Sequence, residues 1–176
     1  SVAKALAKQL NGVYLETPPA QYKELRMFFE ESERSYLARL FFYIGSLWEA
    51  WEEIENLSQL QTVVIDRWLL SLELYHELLT GCALRSIIEI AAPPSADLNI
   101  ILTASDEAIE SRLNKKAKNS FDDGLHSNHS FQKDVRAKFR ENGKYVFDTS
   151  QKSVNEIAKN IESLINSGLT IEDSLE

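Results

Sequence analysis

An acid and a base stand side by side where a predicted strand ends. Asp66 and Arg67 follow three consecutive β-branched residues, Val63–Ile65, in a segment without proline or glycine. Such a run predicts a short strand buried on both faces, as in a parallel sheet. Open α/β sheets bind ligands at their carboxyl edge, and arginine there carries a planar fork of donors suited to phosphate. A purely structural Asp–Arg pair is the alternative interpretation.

A second carboxylate follows another short predicted strand. Val13–Leu15 is stopped by Glu16, Thr17 and the pair Pro18-Pro19, which cannot continue a ladder or a helix. Glu16 could therefore act on a sugar, a hydroxyl or a metal-bound water. A solvated carboxylate at a strand end is the other interpretation.

Helical patterns alternate with short apolar strands along the whole chain. Helices are predicted over Ser1–Leu10, Ala20–Glu30, Ser35–Leu57, Leu69–Leu79, Cys82–Ala92, Ser105–Lys116, Phe131–Arg140 and Ser153–Ile165. Strands are predicted over Val13–Leu15, Thr62–Asp66, Asp97–Ala104 and Lys144–Asp148. In the longest helix the predicted core face consists of Leu37, Leu40, Ile44, Leu47, Trp51 and Ile54. The alternation predicts an α/β fold with a mainly parallel sheet in one domain, residues 1–176.

Charge and composition exclude some classes of partner. The net charge of -8 argues against broad binding of nucleic acid or a membrane surface, which both need a basic face. It leaves nucleotides open, because they need only a few local cations. One cysteine excludes a disulfide framework, and no apolar run approaches the ~20 residues of a membrane span. With no signal peptide at the start, we expect a cytoplasmic protein, or one of the mitochondrial matrix.

Four segments in order resemble one enzyme family. They are SVAKALAKQL at the start, DRWLLS at Asp66–Ser71, PPSADLNIILTASDEAIESRL at Pro93–Leu113 and VFDTS at Val146–Ser150. Together they look like nucleoside-monophosphate kinases of the thymidylate-kinase type, nearest the UMP/CMP kinase branch. The resemblance implies a three-layer P-loop kinase-like fold with a parallel sheet flanked by helices. It also implies transfer of the γ-phosphoryl group of ATP, with Mg²⁺, to a pyrimidine monophosphate.

The phosphate-binding loop of that family is missing from the printed sequence. No two of the six glycines fit the spacing Gly-x-x-x-x-Gly-Lys-Ser/Thr. By the resemblance, Ser1 is the Ser/Thr of that signature or the residue after it, at the ATP phosphates. The family's first, central strand would then also be absent. Unpaired inner sheet edges would cost roughly 1–3 kcal/mol for each buried group, so we expect a further N-terminal segment in the protein.

The resemblance assigns the acceptor side of the site. Arg67 would hold the acceptor phosphate, and Asp66 would orient Arg67 or a Mg²⁺-bound water. Ser71 completes the Asp-Arg-aromatic-x-x-Ser motif at the substrate. Arg26, about two helical turns after the proline pair, would clamp the phosphate, unless it is a solvated helix arginine.

The resemblance also places the base of the acceptor. Phe41 matches an aromatic residue that stacks on it, although a core phenylalanine is an equal interpretation. Four residues later, thymidylate kinases usually have an arginine that reads thymine. Gly45 stands there, which favours another pyrimidine.

On the ATP side the resemblance implies a cationic lid over about Leu113–Phe131. Its cations would be Arg112, as a catalytic residue, with Lys115, Lys116 and Lys118 at the phosphates. Thr149 lies in a segment that resembles the loop bordering the adenine. A solvated basic loop is the alternative for the lysines.

Two other functions stay open from the sequence. A deoxynucleoside kinase shares the architecture but accepts on a hydroxyl, for which Glu16 would be the base. A catalytically inactive P-loop-like domain would serve as an interaction module. A homodimer through the long helices is implied by the family, and a core role is the other explanation of the aromatic residues.

Overall fold

The computed structural model describes residues 1–30, 35–115 and 129–168, with the side chains of 113–115 and 129 left out. Contacts divide the chain into two compact units. One unit is Ala3–Ala96, and the other is Ser1–Val2 with Asp97–Glu176. Each unit is an arrangement of parallel strands and helices.

The unit Ala3–Ala96 is built around two parallel strands. Its elements are α1 (Val2–Gln9), β1 (Val13–Glu16), α2 (Lys23–Glu30), α3 (Tyr36–Ser58), β2 (Val63–Asp66), α4 (Leu69–Thr80) and α5 (Arg85–Ala91). A short 3₁₀ turn, Ala20–Tyr22, precedes α2 after the proline pair. Strands β1 and β2 pair so that Glu16 lies opposite Asp66.

The other unit repeats this arrangement. It contains β3 (Ile100–Thr103), α6 (Asp106–Lys115), α7 (His129–Asn142), β4 (Tyr145–Asp148) and α8 (Val154–Asn166). Strands β3 and β4 are parallel, with Thr103 opposite Asp148. The described strands thus form two separate two-stranded sheets.

The core of the unit Ala3–Ala96 lies under α3. Leu40, Ile44, Leu47 and Ile54 are buried there with Trp68 of the β2–α4 connection. The prediction for Leu37 was wrong, since its side chain is 50% exposed. It lies in the first turn of α3, before the buried face begins at Arg39 and Leu40.

The prediction that β2 is buried on both faces was also wrong. All four residues of Val63–Asp66 are only partly buried. Among the described strands β2 pairs with β1 alone, so one edge of β2 has no strand beside it.

Local sequence signals explain several boundaries. The Ser35 hydroxyl accepts from the Ala38 N–H at 3.4 Å and begins α3. Ser153 and Glu156 form a capping box at the start of α8. Gly81 ends α4 in the left-handed conformation that glycine adopts without strain. Over the described residues, no helix has the length and apolar character that crossing a bilayer requires.

Candidate active site

Two carboxylates meet at the carboxyl edge of the β1–β2 sheet. Glu16 and Asp66 are the last residues of their strands and are register partners. The Tyr14 hydroxyl lies 3.4 Å from Glu16 Oε2 and 3.4 Å from Asp66 Oδ2, so those two oxygens are at most twice that distance apart. Glu16 is exposed and Asp66 is half-buried. Both acids therefore lie at the carboxyl edge of the sheet, as the sequence predicts.

Tyr14 is held neutral by this position. Burial, followed by the charges of Asp66 and Glu16, raises the pKa of Tyr14 to about 12. The Lys4 ammonium also contacts Tyr14, at 5.0 Å from the centre of its ring. A neutral hydroxyl therefore faces two carboxylates, as a donor that they can share.

Arg67 follows β2 in a conformation that non-glycine residues seldom adopt. Its φ is 74°, in the left-handed region. Buried Thr17 holds this turn from the neighbouring strand, because its N–H donates to the Asp66 carbonyl at 3.2 Å and its hydroxyl donates to the Arg67 carbonyl. The Arg67 guanidinium lies 5.7 Å from the centre of the Tyr75 ring. The arginine side chain is exposed on the carboxyl edge, where a ligand can meet it.

Arg26 is not simply a solvated arginine on a helix. Its Nε donates to Glu30 Oε1 at 2.9 Å along α2. The Tyr43 hydroxyl, from α3, donates to the same oxygen. The Arg26 side chain is 33% exposed and that of Glu30 is 20% exposed. Burial, with the nearby charge of Glu30, raises the pKa of Tyr43, so its hydroxyl stays protonated.

The remaining predicted acceptor residues lie on α3 and α4. Phe41 is 53% exposed, and this favours a surface contact over the alternative of a core residue. Gly45, one turn later, is also exposed, and a Cβ added there would meet no atom within 4 Å. Ser71 lies half-buried in the first turn of α4, where its N–H donates to the Trp68 carbonyl at 3.0 Å.

The carboxyl edge of the β3–β4 sheet holds Arg112 against Thr149. Arg112 donates from Nη1 to Thr149 Oγ1 at 3.0 Å and from Nη2 to the Thr149 carbonyl at 2.5 Å. Thr149 Oγ1 and N–H both donate to the Thr103 carbonyl, at 2.9 and 2.8 Å. The arginine on α6 is thus bound to the loop that follows β4, and Thr149 itself is buried.

The same loop is ordered by a second set of short contacts. Asp148 Oδ1 accepts from the N–H and hydroxyl of Ser150, at 2.8 and 2.5 Å. These donors lower the pKa of Asp148. The Ser150 hydroxyl oxygen accepts from the Ser105 N–H at 2.8 Å, next to the start of α6. The backbone of this loop is therefore fixed beside Arg112.

The other predicted ATP-side residues are less well defined. Ser1 is exposed at the start of α1. Lys115 is the last residue of α6, and its side chain lies outside the described part of the chain. Lys116 and Lys118 lie outside the described residues, as does most of the predicted lid. In the described ranges no three His, Cys, Asp or Glu side chains group as a metal site.

Sequence reasoning missed Tyr14, Thr17, Glu30 and Tyr43 as parts of these arrangements. A signal for Tyr14 exists, because residues two apart on a strand share a face and Tyr14 precedes Glu16 by two. The contact between Glu30 and Tyr43 joins two helices and has no periodic signal in the sequence.

Comparisons with known proteins point to one family and one fold. The family model described as thymidylate kinase matches residues 1–166. A search of curated protein sequences finds no significant match. The structure resembles thymidylate kinase from Candida albicans with a TM-score of 0.73 and 17% identity, over 94% of this chain and 84% of that one. It resembles thymidylate kinase from Ehrlichia chaffeensis with a TM-score of 0.61 and 18% identity, over 93% of this chain and 88% of that one.

The structural matches confirm the predicted P-loop kinase-like α/β fold. An ATP-dependent phosphotransferase is the function of this family, rather than an inactive interaction module. The chain belongs to the thymidylate kinase family and is a nucleoside-monophosphate kinase for a pyrimidine nucleotide.

Proposed function

We propose that the acceptor is a pyrimidine nucleoside monophosphate that includes bases other than thymine, as in the UMP/CMP kinase branch. The observation that carries this proposal is Gly45, which stands exposed one turn after the exposed Phe41. A base stacked on Phe41 would meet no arginine from that position. Stacking tolerates several bases, because each has a π-face. The solved Candida albicans relative is described as having broad substrate specificity, which supports the same view.

Arg67 would hold the acceptor phosphate. Its guanidinium is always charged and offers a planar fork of donors to two phosphate oxygens. The left-handed backbone at Arg67 is held by Thr17, so the arginine projects from a fixed turn. In-line phosphoryl transfer depends on such positioning and on charge neutralisation more than on covalent help.

Arg26 would give a second cation to the same phosphate, with Ser71 nearby at the start of α4. The support is that Arg26 is ordered by Glu30 and Tyr43 rather than left in solvent. Two arginines on one phosphate would neutralise the repulsion between acceptor and donor phosphates.

Asp66 would serve Mg²⁺, through a bound water or directly. Mg²⁺ is commonly held by one or two carboxylates together with substrate phosphates and waters, so the pair Asp66 and Glu16 fits its requirements. Bound there, the ion would neutralise charge on the phosphates. The Tyr14 hydroxyl would keep the Asp66 side chain oriented toward it.

On the ATP side, Arg112 and Thr149 would border the nucleotide, with Ser1, Lys115, Lys116 and Lys118 as further cofactor-binding residues. The support is the pair of hydrogen bonds from Arg112 to Thr149, which ties the arginine to the loop after β4. Closing cations over the triphosphate would also exclude water from the transfer.

A homodimer through α3 is part of the proposal. Leu37, Phe41 and Trp48 are 50%, 53% and 45% exposed on this helix, a pattern that a partner chain could cover. Light scattering on the purified protein would give the mass of a dimer, or of a monomer if the faces stay exposed.

Cys82 is a free, exposed thiol, which suits the reducing cytoplasm or matrix.

The test is a survey of turnover by the full-length protein. Each nucleoside monophosphate is offered with ATP and Mg²⁺, and ADP release is followed. We expect turnover with UMP, CMP or their deoxy forms as well as, or in place of, dTMP. Turnover with dTMP alone would contradict the broad acceptor proposal.

A deoxynucleoside kinase is the second candidate, because Glu16 is an exposed carboxylate at the same edge and could take a proton from a hydroxyl. Offering each deoxynucleoside in the same assay decides between the two. Phosphorylation of deoxynucleosides, abolished by Glu16→Gln, would show this second activity beside that of the monophosphate kinase.

A further inference from the structure

We infer that Tyr43 and Glu30 are positioning residues for Arg26, and that through it they set the affinity for the acceptor monophosphate. The inference rests on the proposed function, because it takes Arg26 as a cation at the acceptor phosphate. It is carried by one oxygen atom, Glu30 Oε1, which accepts from both Arg26 and Tyr43.

The bond between Arg26 and Glu30 is weak by itself. It joins residues four apart on one helix, with both side chains partly exposed. Such pairs contribute little, because two long side chains must be held in one geometry. A second, fixed donor on the same carboxylate changes this, since the glutamate then has one preferred rotamer.

Tyr43 is that fixed donor. Its ring is half-buried and packs edge-on against His76 of α4, with ring centres 5.6 Å apart. His76 is itself 3% exposed, and its Nδ1 lies 2.9 Å from the Leu72 carbonyl. The tyrosine therefore approaches Glu30 from a rigid part of α3, and a hydrogen bond to a carboxylate is among the stronger ones in proteins.

The end of α2 is held to α3 by a second contact. Buried Arg39 donates from Nε to the Phe29 carbonyl at 2.9 Å, in the last turn of α2. Phe29 also stacks on Phe42, with ring centres 4.9 Å apart. Glu30 thus projects from a helix end that α3 already fixes, so the main degree of freedom left is the rotamer of Glu30 itself.

The guanidinium is planar, so fixing one of its nitrogens orients the other two. Glu30 accepts from Nε of Arg26, and Nη1 and Nη2 lie on the same rigid plane. A phosphate would engage those terminal nitrogens. When Glu30 fixes the plane, less rotamer freedom is lost on binding, and the affinity for the monophosphate rises.

The test is a double-mutant cycle on the full-length enzyme, with the KM for the monophosphate and kcat measured separately. Tyr43→Phe keeps the ring on His76 and removes only the hydroxyl. We expect its KM for the monophosphate to rise about five- to tenfold with kcat within about twofold, as expected for loss of ground-state and transition-state binding alike. Its KM for ATP should not change.

The decisive comparison is in the Arg26→Ala background. There Tyr43→Phe should have no further effect on KM, because the residue that it positions is gone. A purely structural role for Tyr43 would raise KM by the same factor in both backgrounds, and that result would overturn the inference. Glu30→Gln repeats the cycle from the other end of the bond and serves if Tyr43→Phe folds poorly.

Tyr22→Phe is the matched control. The Tyr22 ring packs 6.3 Å from the Phe42 ring in the same aromatic cluster, and the described residues give its hydroxyl no hydrogen bond. We expect its KM to equal that of the wild type. If the wild type turns over no monophosphate, the proposed function fails and the inference with it. If the wild type is active and Tyr43→Phe leaves KM unchanged, only the inference fails.

Discussion

Glu16 and Asp66 are separated by 50 positions in the chain, yet they end neighbouring parallel strands as register partners. The Tyr14 hydroxyl, 3.4 Å from a carboxylate oxygen of each, lies between them. Two like charges at this separation repel one another, and a shared donor or a cation lowers that repulsion. The pair lies at the edge that carries Arg67, and it is where we propose that Mg²⁺ binds.

Asp66→Asn should weaken the use of Mg²⁺ specifically. The amide keeps the shape of the side chain but loses its charge, so the Mg²⁺ concentration for half-maximal turnover should rise about 10- to 100-fold, as for other residues that orient metal ligands. The measurement is turnover against Mg²⁺ concentration at saturating ATP. An unchanged midpoint would assign Asp66 to the support of Arg67 alone. Asp97→Asn, an exposed carboxylate before β3, is the control and should leave the midpoint where it is.

Function and stability should favour different residues at position 67. Removing a cation from a transferring phosphoryl group typically costs about 100- to 1,000-fold in turnover, so Arg67→Ala and Arg67→Gly should both lose at least that much. Left-handed backbone costs non-glycine residues roughly 1–2 kcal/mol, and Arg67 has φ 74°. Arg67→Gly should therefore unfold at a higher urea concentration than Arg67→Ala. Its free energy of unfolding should be larger by about 1 kcal/mol. Equal stability of the two variants would show that the turn carries no strain.

The elements of this fold were predictable where the chain carries local signals. A β-branched run gave the position of β2, and the short segment before the proline pair gave the position and the end of β1. The local pattern could not predict which side chains are exposed at the ends of helices. Leu37 has the right helical spacing for the core, but it lies before α3 reaches its packing partners.

In the candidate site, the sequence could place together only residues that are neighbours in the chain. Asp66 and Arg67 are adjacent, so their position at a strand end could be predicted from one segment. That Glu30 is shared by Arg26 and Tyr43 depends on how α2 packs on α3, which no residue spacing specifies. The contact of Arg112 with Thr149 likewise joins a helix to a loop 37 positions away.

His76 should make stability depend on pH below neutrality. Burial lowers the pKa of His76 below its usual 6.5, and its buried Nε2 has no hydrogen-bond partner among the described residues. The unfolded chain therefore binds a proton at a pH where the folded chain does not, so stability falls as pH drops below about 6.5 toward the folded pKa. The slope from this one group is at most about 1.4 kcal/mol per pH unit.

The measurement is urea unfolding of wild type and His76→Gln at several values between pH 5 and pH 7.5. The variant should lose part of the slope, since its amide does not titrate and can still donate to the Leu72 carbonyl. Parallel curves for the two proteins would mean that His76 titrates alike in the folded and unfolded chains.

Two glycines should respond to alanine with opposite signs. A Cβ at Gly12 would lie 2.2 Å from the Thr62 carbonyl oxygen, which also accepts the Val13 N–H at 2.9 Å. Gly12→Ala must therefore push β1 from β2 and should cost at least about 1–3 kcal/mol. Gly45 lies in helix α3 with nothing near its Cβ position, so Gly45→Ala should stabilise by about 0.5–1 kcal/mol. Chemical denaturation measures both, and a loss of stability in Gly45→Ala would contradict the open surface there.

Thr149→Val should separate the two substrates of the enzyme. The threonine hydroxyl accepts from Arg112 and donates to the Thr103 carbonyl, and an isosteric valine ends both contacts. Since Thr149 is buried, the unpaired groups should cost about 1–3 kcal/mol of stability. Arg112 then keeps only its bond to the backbone carbonyl of residue 149 and is held less firmly, so the KM for ATP should rise about three- to tenfold, while the KM for the monophosphate stays constant. Thr80→Val removes a hydroxyl that bonds the His76 carbonyl at 2.8 Å in α4, and serves as the control for the loss of a threonine hydroxyl in itself. If both variants raised the KM for ATP equally, the position of Arg112 beside Thr149 would have no part in binding ATP.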